Sequence, residues 1–252
     1  MKKFRGFSVW GAVVVVLVVA LLGVATYSII DGNNKATDFS KYDFYSVIEG
    51  NSDNGNISDH VKGSADAPVM IYEYADYQCS GCATANPKVN QVVKELDGKL
   101  GVVYRSYILK YHNNGTAAAS AAEAAGLQGY WKEYADKLFD EQAEWASASA
   151  SERTALFDKY FEEVTSGEGD IEKFNQDIAS EQVSKKISFD MGIGQRMDIS
   201  ATPAFYIDGQ FIDWSHAGEV TINGKKISWD SGRSGDDFVK LFKDIVNAKL
   251  GK

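Results

Sequence analysis

Cys79 and Cys82 are separated only by Ser80 and Gly81, and they are the only 2 cysteines in a chain of 252 residues. On a helix, residues three apart share a face at about 5–6 Å, close enough for two thiols to close into a disulfide and open again. The chemistry on offer is thiol–disulfide exchange, in which a thiolate attacks a disulfide sulfur and passes through a mixed disulfide. A purely structural bridge is a weak use of this spacing, because closing so short a loop constrains the unfolded chain by only about 2 kcal/mol. Zinc would need two further ligands, and the 3 histidines, His60, His112 and His216, stand far apart in the sequence. The pair therefore reads as redox-active, with no metal and no cofactor required.

The flanking residues say where the pair sits. Val69 to Ala75, bounded by Pro68, is rich in apolar and aromatic residues and reads as a strand entering a core. Directly after the motif, Val89, Val92, Val93 and Leu96 recur at spacings of three and four, which predicts a helix. The motif thus opens a helix that follows a strand. Unsatisfied backbone N–H groups and the helix dipole favour an anion there, so Cys79 is expected to have a depressed pKa and act as nucleophile, with Cys82 as the resolving thiol. Ser80 and Gly81 add no positive charge, so backbone dipoles and surrounding side chains must stabilise the Cys79 thiolate.

A second strand is expected from Gly101 to Leu109, followed by an Ala-rich helix from Thr116 to Leu127. Helical character continues through Tyr130, Tyr134 and Leu138. Ser149 with Glu152 fits a capping box ahead of Leu156, Tyr160 and Val164, and a further helix is predicted over Asp170 to Ala179. The block occupies about residues 116–192. Strand character returns with a hairpin at Ala204 to Ile207, Asp208-Gly209, Phe211 and Ile212. A second hairpin is read at Val220 and Ile222, Asn223-Gly224, Ile227 and Trp229, and Asp236 to Leu250 has the spacing of a terminal amphipathic helix. The fold class is α/β.

Composition restricts the function. The formal net charge of −9 argues against a nucleic-acid binder, which needs a basic face. From Gly6 to Ile30 no charged residue occurs, and Phe7 to Ile30 is long enough to cross a bilayer core of roughly 30 Å as a helix. Lys2, Lys3 and Arg5 precede it, which places residues 1–6 in the cytoplasm and everything after residue 30 outside. The rival reading is a cleaved signal peptide with Gly23-Val24-Ala25 at its end; either reading exports the folded domain. Residues 31–60, rich in Asn, Asp, Ser and Gly, read as a spacer with some docking onto a domain at 61–252.

Ala65-Asp66-Ala67-Pro68-Val69, then Glu73-Tyr74-Ala75-Asp76-Tyr77-Gln78-Cys79-Ser80-Gly81-Cys82, resembles the DsbA family of thiol-disulfide oxidoreductases, as does Ile199-Ser200-Ala201-Thr202-Pro203-Ala204-Phe205 with Asp208-Gly209. The resemblance covers roughly residues 60–250 and implies a thioredoxin-like fold with a helical insertion. It also implies a cis Pro203 beside the disulfide, with the Thr202 backbone offered to an extended substrate. It places an acid, Glu73, beneath the active site; a buried acid needs a partner, and Lys110 is the candidate, the pair tuning proton transfer at Cys82. His112 reads as a surface loop residue. The chain departs from the best-known members in having neither His nor Pro between the cysteines and in carrying Ala201 where glycine is frequent, which puts strongly oxidising character in question.

The leading expectation is an enzyme that introduces disulfides into reduced, unfolded exported proteins and is reoxidised by a membrane redox partner. A reductase or isomerase on the same fold, and a non-catalytic binding module with a structural disulfide, are the alternatives.

Overall fold

The computed structural model describes residues 37–230 and 235–252, with a compact unit running from Phe39 to Lys252. The apolar stretch Phe7 to Ile30 lies outside the described residues, and among those described no helix is long and apolar enough to cross a membrane.

Strand β2, Val69–Ala75, is buried at every position but Met70, as a central strand requires. Its neighbour β3, Leu100–Ser106, runs parallel to it, so the chain must cross back between them, and helix α1, Ser80–Glu95, is that crossover. On the other side of β2 lies β4, Ala204–Ile207, antiparallel, followed by β5, Gln210–Ile212. A short strand β1, His60–Gly63, pairs antiparallel with β3 and completes the order β1-β3-β2-β4-β5.

The alternation of β2 and β3 sends two sets of side chains to opposite faces. Ile71, Val102 and Phe205 face Val89 and Val92 of α1 and Phe242 and Ile245 of the last helix, α8 (Gly235–Lys249). Tyr72, Tyr74 and Val103 face Phe39, Ile48, Phe189 and Ile193.

Between β3 and β4 come α2 (Gly115–Gly126), α3 (Trp131–Asp140), α4 (Gln142–Trp145), α5 (Ala150–Thr165), α6 (Ile171–Ile178) and α7 (Glu181–Arg196), which form the helical insertion. Its centre is α2, where Ala118, Ala119, Ala121, Ala122, Ala124 and Ala125 are all buried. Alanine there lets several helices approach one axis. The capping box at Ser149 and Glu152 forms and starts α5. The second hairpin, β6 (Gly218–Ile222) and β7 (Lys225–Trp229), is a separate sheet that turns at Asn223-Gly224, both with positive φ (50° and 77°), as a tight hairpin turn demands. Val220, Ile222 and Ile227 join the cluster that buries α8.

The spacer expected over residues 31–60 is corrected from Phe39 onward, because that segment is part of the folded unit. Asp59, fully buried, accepts Arg105 Nη2 at 2.7 Å and Lys186 Nζ at 2.9 Å, and it also caps the Ile48 N–H at 3.0 Å. Arg105 further donates to the carbonyls of Phe44 and Ser46, at 2.7 and 2.9 Å. A buried guanidinium whose donors are all used fastens this polar segment to β3. Its low apolar content hid that anchoring.

Candidate active site

Helix α1 begins as the motif predicted. Cys79 is the N-cap, in extended conformation (φ −76°, ψ 120°), and its carbonyl accepts the Ala83 N–H at 3.1 Å. Its sulfur is half-buried. Cys82 lies one turn in, fully buried, with the Asp76 N–H directed at its sulfur at 3.5 Å. The two are free thiols.

The environments of the two sulfurs drive them apart. Hydrogen bonding from the Cys82 thiol does most to lower Cys79; Thr202 and the backbone N–H groups of Cys82 and Gly81 add to it, against burial, and the thiol falls to about 5. Burial, reinforced by Cys79 itself, pushes Cys82 well above its ordinary value. One thiol is therefore poised to ionise and the other to remain protonated.

The peptide bond between Thr202 and Pro203 is cis, as the resemblance implied, and it lies against the cysteines. The Cys79 thiol donates to the Thr202 carbonyl at 3.3 Å. A Cβ added at Gly81 would stand 3.3 Å from Pro203 Cδ and 3.6 Å from Cys79 Sγ, so the proline loop packs closely over the motif. The Thr202 hydroxyl is buried with no partner in the dithiol state, available as a donor once the Cys79 thiolate forms.

Glu73 is buried on β2, 2% exposed, and burial raises its carboxyl to about 7 against the opposing pull of Lys62. The expected partner Lys110 is exposed in the turn after β3, so the Glu73–Lys110 pairing is corrected. The reason is register. Glu73 sits opposite Tyr104 of β3, and Tyr104 sits opposite His60 of β1, which puts Lys62, two residues on, on the same face of the sheet. Lys62 is 1% exposed, donates to Asn86 Oδ1, and lies 3.3 Å from Asp136 Oδ1.

Sequence reasoning also missed the hold on the motif's leading edge. Gln142 Nε2 of α4 donates to the carbonyls of Tyr77 and Cys79, at 2.6 and 3.1 Å. Gln78 Nε2 donates to the Ala146 carbonyl at 2.8 Å, and Gln78 Oε1 accepts the Asn114 N–H at 2.7 Å. The helical insertion thus grips the turn that presents Cys79. His112, read as a surface residue, is instead partly buried and bonds through Nδ1 to the buried Asp76 carboxylate at 2.7 Å. That carboxylate also accepts the Gln78 and Leu109 N–H groups.

The thioredoxin family's sequence profile matches residues 55–229, a stretch that contains both cysteines and Pro203. The chain belongs to the thioredoxin family. Solved structures agree at the level of fold. Oxidised BdbD from Bacillus subtilis superimposes with a TM-score of 0.57 at 19% identity, over 80% of this chain and 99% of that one. A thioredoxin-like oxidoreductase from Silicibacter pomeroyi gives 0.55 at 20% identity, over 77% and 93%. The alpha-DsbA1 of Wolbachia pipientis gives 0.54 at 22% identity, over 77% and 91%. The thioredoxin fold with a helical insertion is therefore shared with DsbA-like proteins.

A curated relative, the Na(+)/H(+) antiporter NhaA 1 of Mycolicibacterium vanbaalenii, is 35% identical over 156 residues, 60% of this chain and 23% of that one. The chain spans about a quarter of the length of the curated relatives it matches, and the transport in their name is said of those longer proteins.

Proposed function

We propose that this thioredoxin-family protein is an extracytoplasmic thiol–disulfide oxidoreductase that introduces disulfides into reduced exported proteins. The observation that carries the reading is the split between the two thiols: Cys79, half-buried at a helix N-terminus, is lowered to about 5, while the buried Cys82 is raised. Stabilising the thiolate stabilises the reduced pair, which makes the disulfide a better oxidant.

In the oxidising direction a substrate thiolate attacks Cys79 Sγ, breaking the Cys79–Cys82 bond and leaving the electron pair on Cys82. A second substrate thiolate then attacks the substrate sulfur of the mixed disulfide, and Cys79 leaves as the thiolate. Pro203 packs over the motif, and the Thr202 backbone beside Cys79 offers strand-like hydrogen bonds to an extended polypeptide. Glu73, with Lys62 as its cation in place of Lys110, manages the proton of Cys82. The two electrons gained pass to a membrane redox partner, and Phe7 to Ile30 tethers the domain beside it with the N-terminus in the cytoplasm; the apolar run and the preceding Lys2, Lys3 and Arg5 support that placement.

Equilibration of the pair with a glutathione redox buffer tests the direction. A potential more oxidising than about −200 mV is expected, and one near the roughly −270 mV of thioredoxin would make the protein a reductase.

A further inference from the structure

Asp76, the residue that follows β2, touches both cysteines through its backbone. Its carbonyl accepts the Cys79 N–H at 3.0 Å, and its own N–H is directed at Cys82 Sγ at 3.5 Å. Its carboxylate is fully buried and engaged elsewhere. Oδ1 accepts the Gln78 N–H at 2.9 Å, while Oδ2 accepts the Leu109 N–H at 2.8 Å and bonds His112 Nδ1 at 2.7 Å. Leu109 and His112 belong to the turn between β3 and α2, so one side chain ties that turn to the turn carrying the motif.

The junction is tight. A Cβ at Gly115, the first residue of α2, would stand 2.9 Å from Asp76 Oδ1 and 2.8 Å from Ile108 Cγ2, so alanine there would displace one side chain or both. A carboxylate accepts only, so the His112 nitrogen beside it carries the proton, and ring and carboxylate orient each other. Burying a charge is costly, and an apolar side chain could close the same gap more cheaply, so what the carboxylate contributes is position. Gln142 and Gln78 hold the motif's turn from the side of the helical insertion. Asp76 holds it from the side of the sheet.

We propose that Asp76 and His112 are positioning residues for thiol–disulfide exchange, clamping the turn before Cys79 to the β3–α2 turn so that the Cys79 sulfur stays within reach of the donors that stabilise its thiolate. The proposal rests on the reading of Cys79 and Cys82 as an exchange pair.

Those donors are the Cys82 thiol, Thr202 and the N–H groups of Cys82 and Gly81. All act over short distances, and a preorganised site tolerates displacements of only about 0.5 Å. A loosened clamp lets the turn drift and the donors lengthen, which costs the thiolate part of its stabilisation. The disulfide has no thiolate to lose, so the balance moves toward the oxidised pair and the protein becomes a weaker oxidant. No proton passes between the clamp and the thiols. Asp76 and His112 act only on where the sulfurs stand.

The test compares His112→Leu, His112→Asn and Gly115→Ala in the full chain. The readouts are thiolate absorbance of Cys79 against pH, the equilibrium with glutathione and the thermal midpoint. Asparagine places an amide N–H where Nδ1 stood and can still donate to Asp76, whereas leucine puts an apolar group there. His112→Leu should raise the Cys79 midpoint from about 5 by about one pH unit and move the glutathione equilibrium about tenfold toward the disulfide. His112→Asn should restore most of that difference. Gly115→Ala, which displaces the carboxylate with His112 intact, should raise the midpoint in the same direction. A midpoint that stays at about 5 in the leucine variant overturns the proposal, as does an asparagine variant displaced as far as the leucine one. A lower thermal midpoint with an unmoved titration also overturns it, since the bond would then add stability alone. If the leucine variant does not fold, Gly115→Ala decides on the same readings. The unsubstituted protein separates the two levels of failure. A Cys79 midpoint near 9.0 removes the exchange reading itself, whereas one at about 5 that no variant moves removes only the clamp.

Discussion

The Cys79 sulfur lies 3.3 Å from the carbonyl oxygen of Thr202, a residue 123 positions further along the chain. The contact joins the start of α1 to the cis-proline loop at the head of β4, where Pro203 packs close to Gly81. The nucleophile is thus flanked on one side by helix N–H groups and on the other by a backbone that a substrate strand can address.

The Cys82 thiol is the largest influence lowering Cys79, ahead of Thr202 and the helix N–H groups. Cys82→Ala should therefore raise the Cys79 titration from about 5 toward the ordinary thiol value of 9.0, while Cys82→Ser, which keeps a donor, should raise it less. Thiolate absorbance against pH, read for both variants, checks this. Equal titrations in the two would assign the stabilisation to the helix alone.

Glu73 gives the fold a pH dependence of known sign. Its folded pKa, about 7, exceeds its ordinary 4.5, so the native state binds the proton more tightly than the unfolded chain. Stability from this group is complete below about pH 4.5 and is lost as pH rises through about 7, a change of about 3 kcal/mol. Glu73→Gln should remove that decline, so its urea midpoint gains on the unsubstituted protein between acid and mildly alkaline pH. Parallel curves for the two proteins would contradict the burial argument.

Asp59 works in the opposite sense. Burial alone would raise it, but Lys186 and Arg105 outweigh burial and hold it down to about 2, so its contribution is present above about pH 4 and lost as pH falls through 2. Asp59→Ala leaves two buried cations short of their counter-ion and should cost about 3–5 kcal/mol. Limited proteolysis should then cut first between Phe39 and Asp59, the segment that Arg105 fastens. Unchanged resistance there would show that apolar contacts such as Phe39 on Phe189 suffice.

Much of the fold was legible because its signals are local. The apolar run of β2, the spacing of Val89 and Val92, the Ser149–Glu152 box and the Asn223-Gly224 turn each act within a few residues, and each formed where expected. What escaped depends on distant pairs. His60–Gly63 is four residues long and only Val61 is a strong strand former, so β1, which straddles the expected boundary at residue 60, gives no strand signal in the sequence. Without β1 nothing in the sequence brings Lys62 near Glu73, whereas Lys110 stands at the expected end of a strand. The Lys186–Asp59 bond spans 127 positions, and the Gln142 grip on Tyr77 spans 65. Neither side chain stands out in a linear reading. His112 looked like a loop residue because its partner Asp76 lies 36 positions away.

The most direct measurement is the rate of Cys79 alkylation in the reduced protein as a function of pH, with Cys82 shielded by its burial. The account predicts a single step with a midpoint at about 5 and rapid reaction at neutrality. A midpoint near the ordinary thiol value of 9.0, with slow reaction at neutrality, would contradict it.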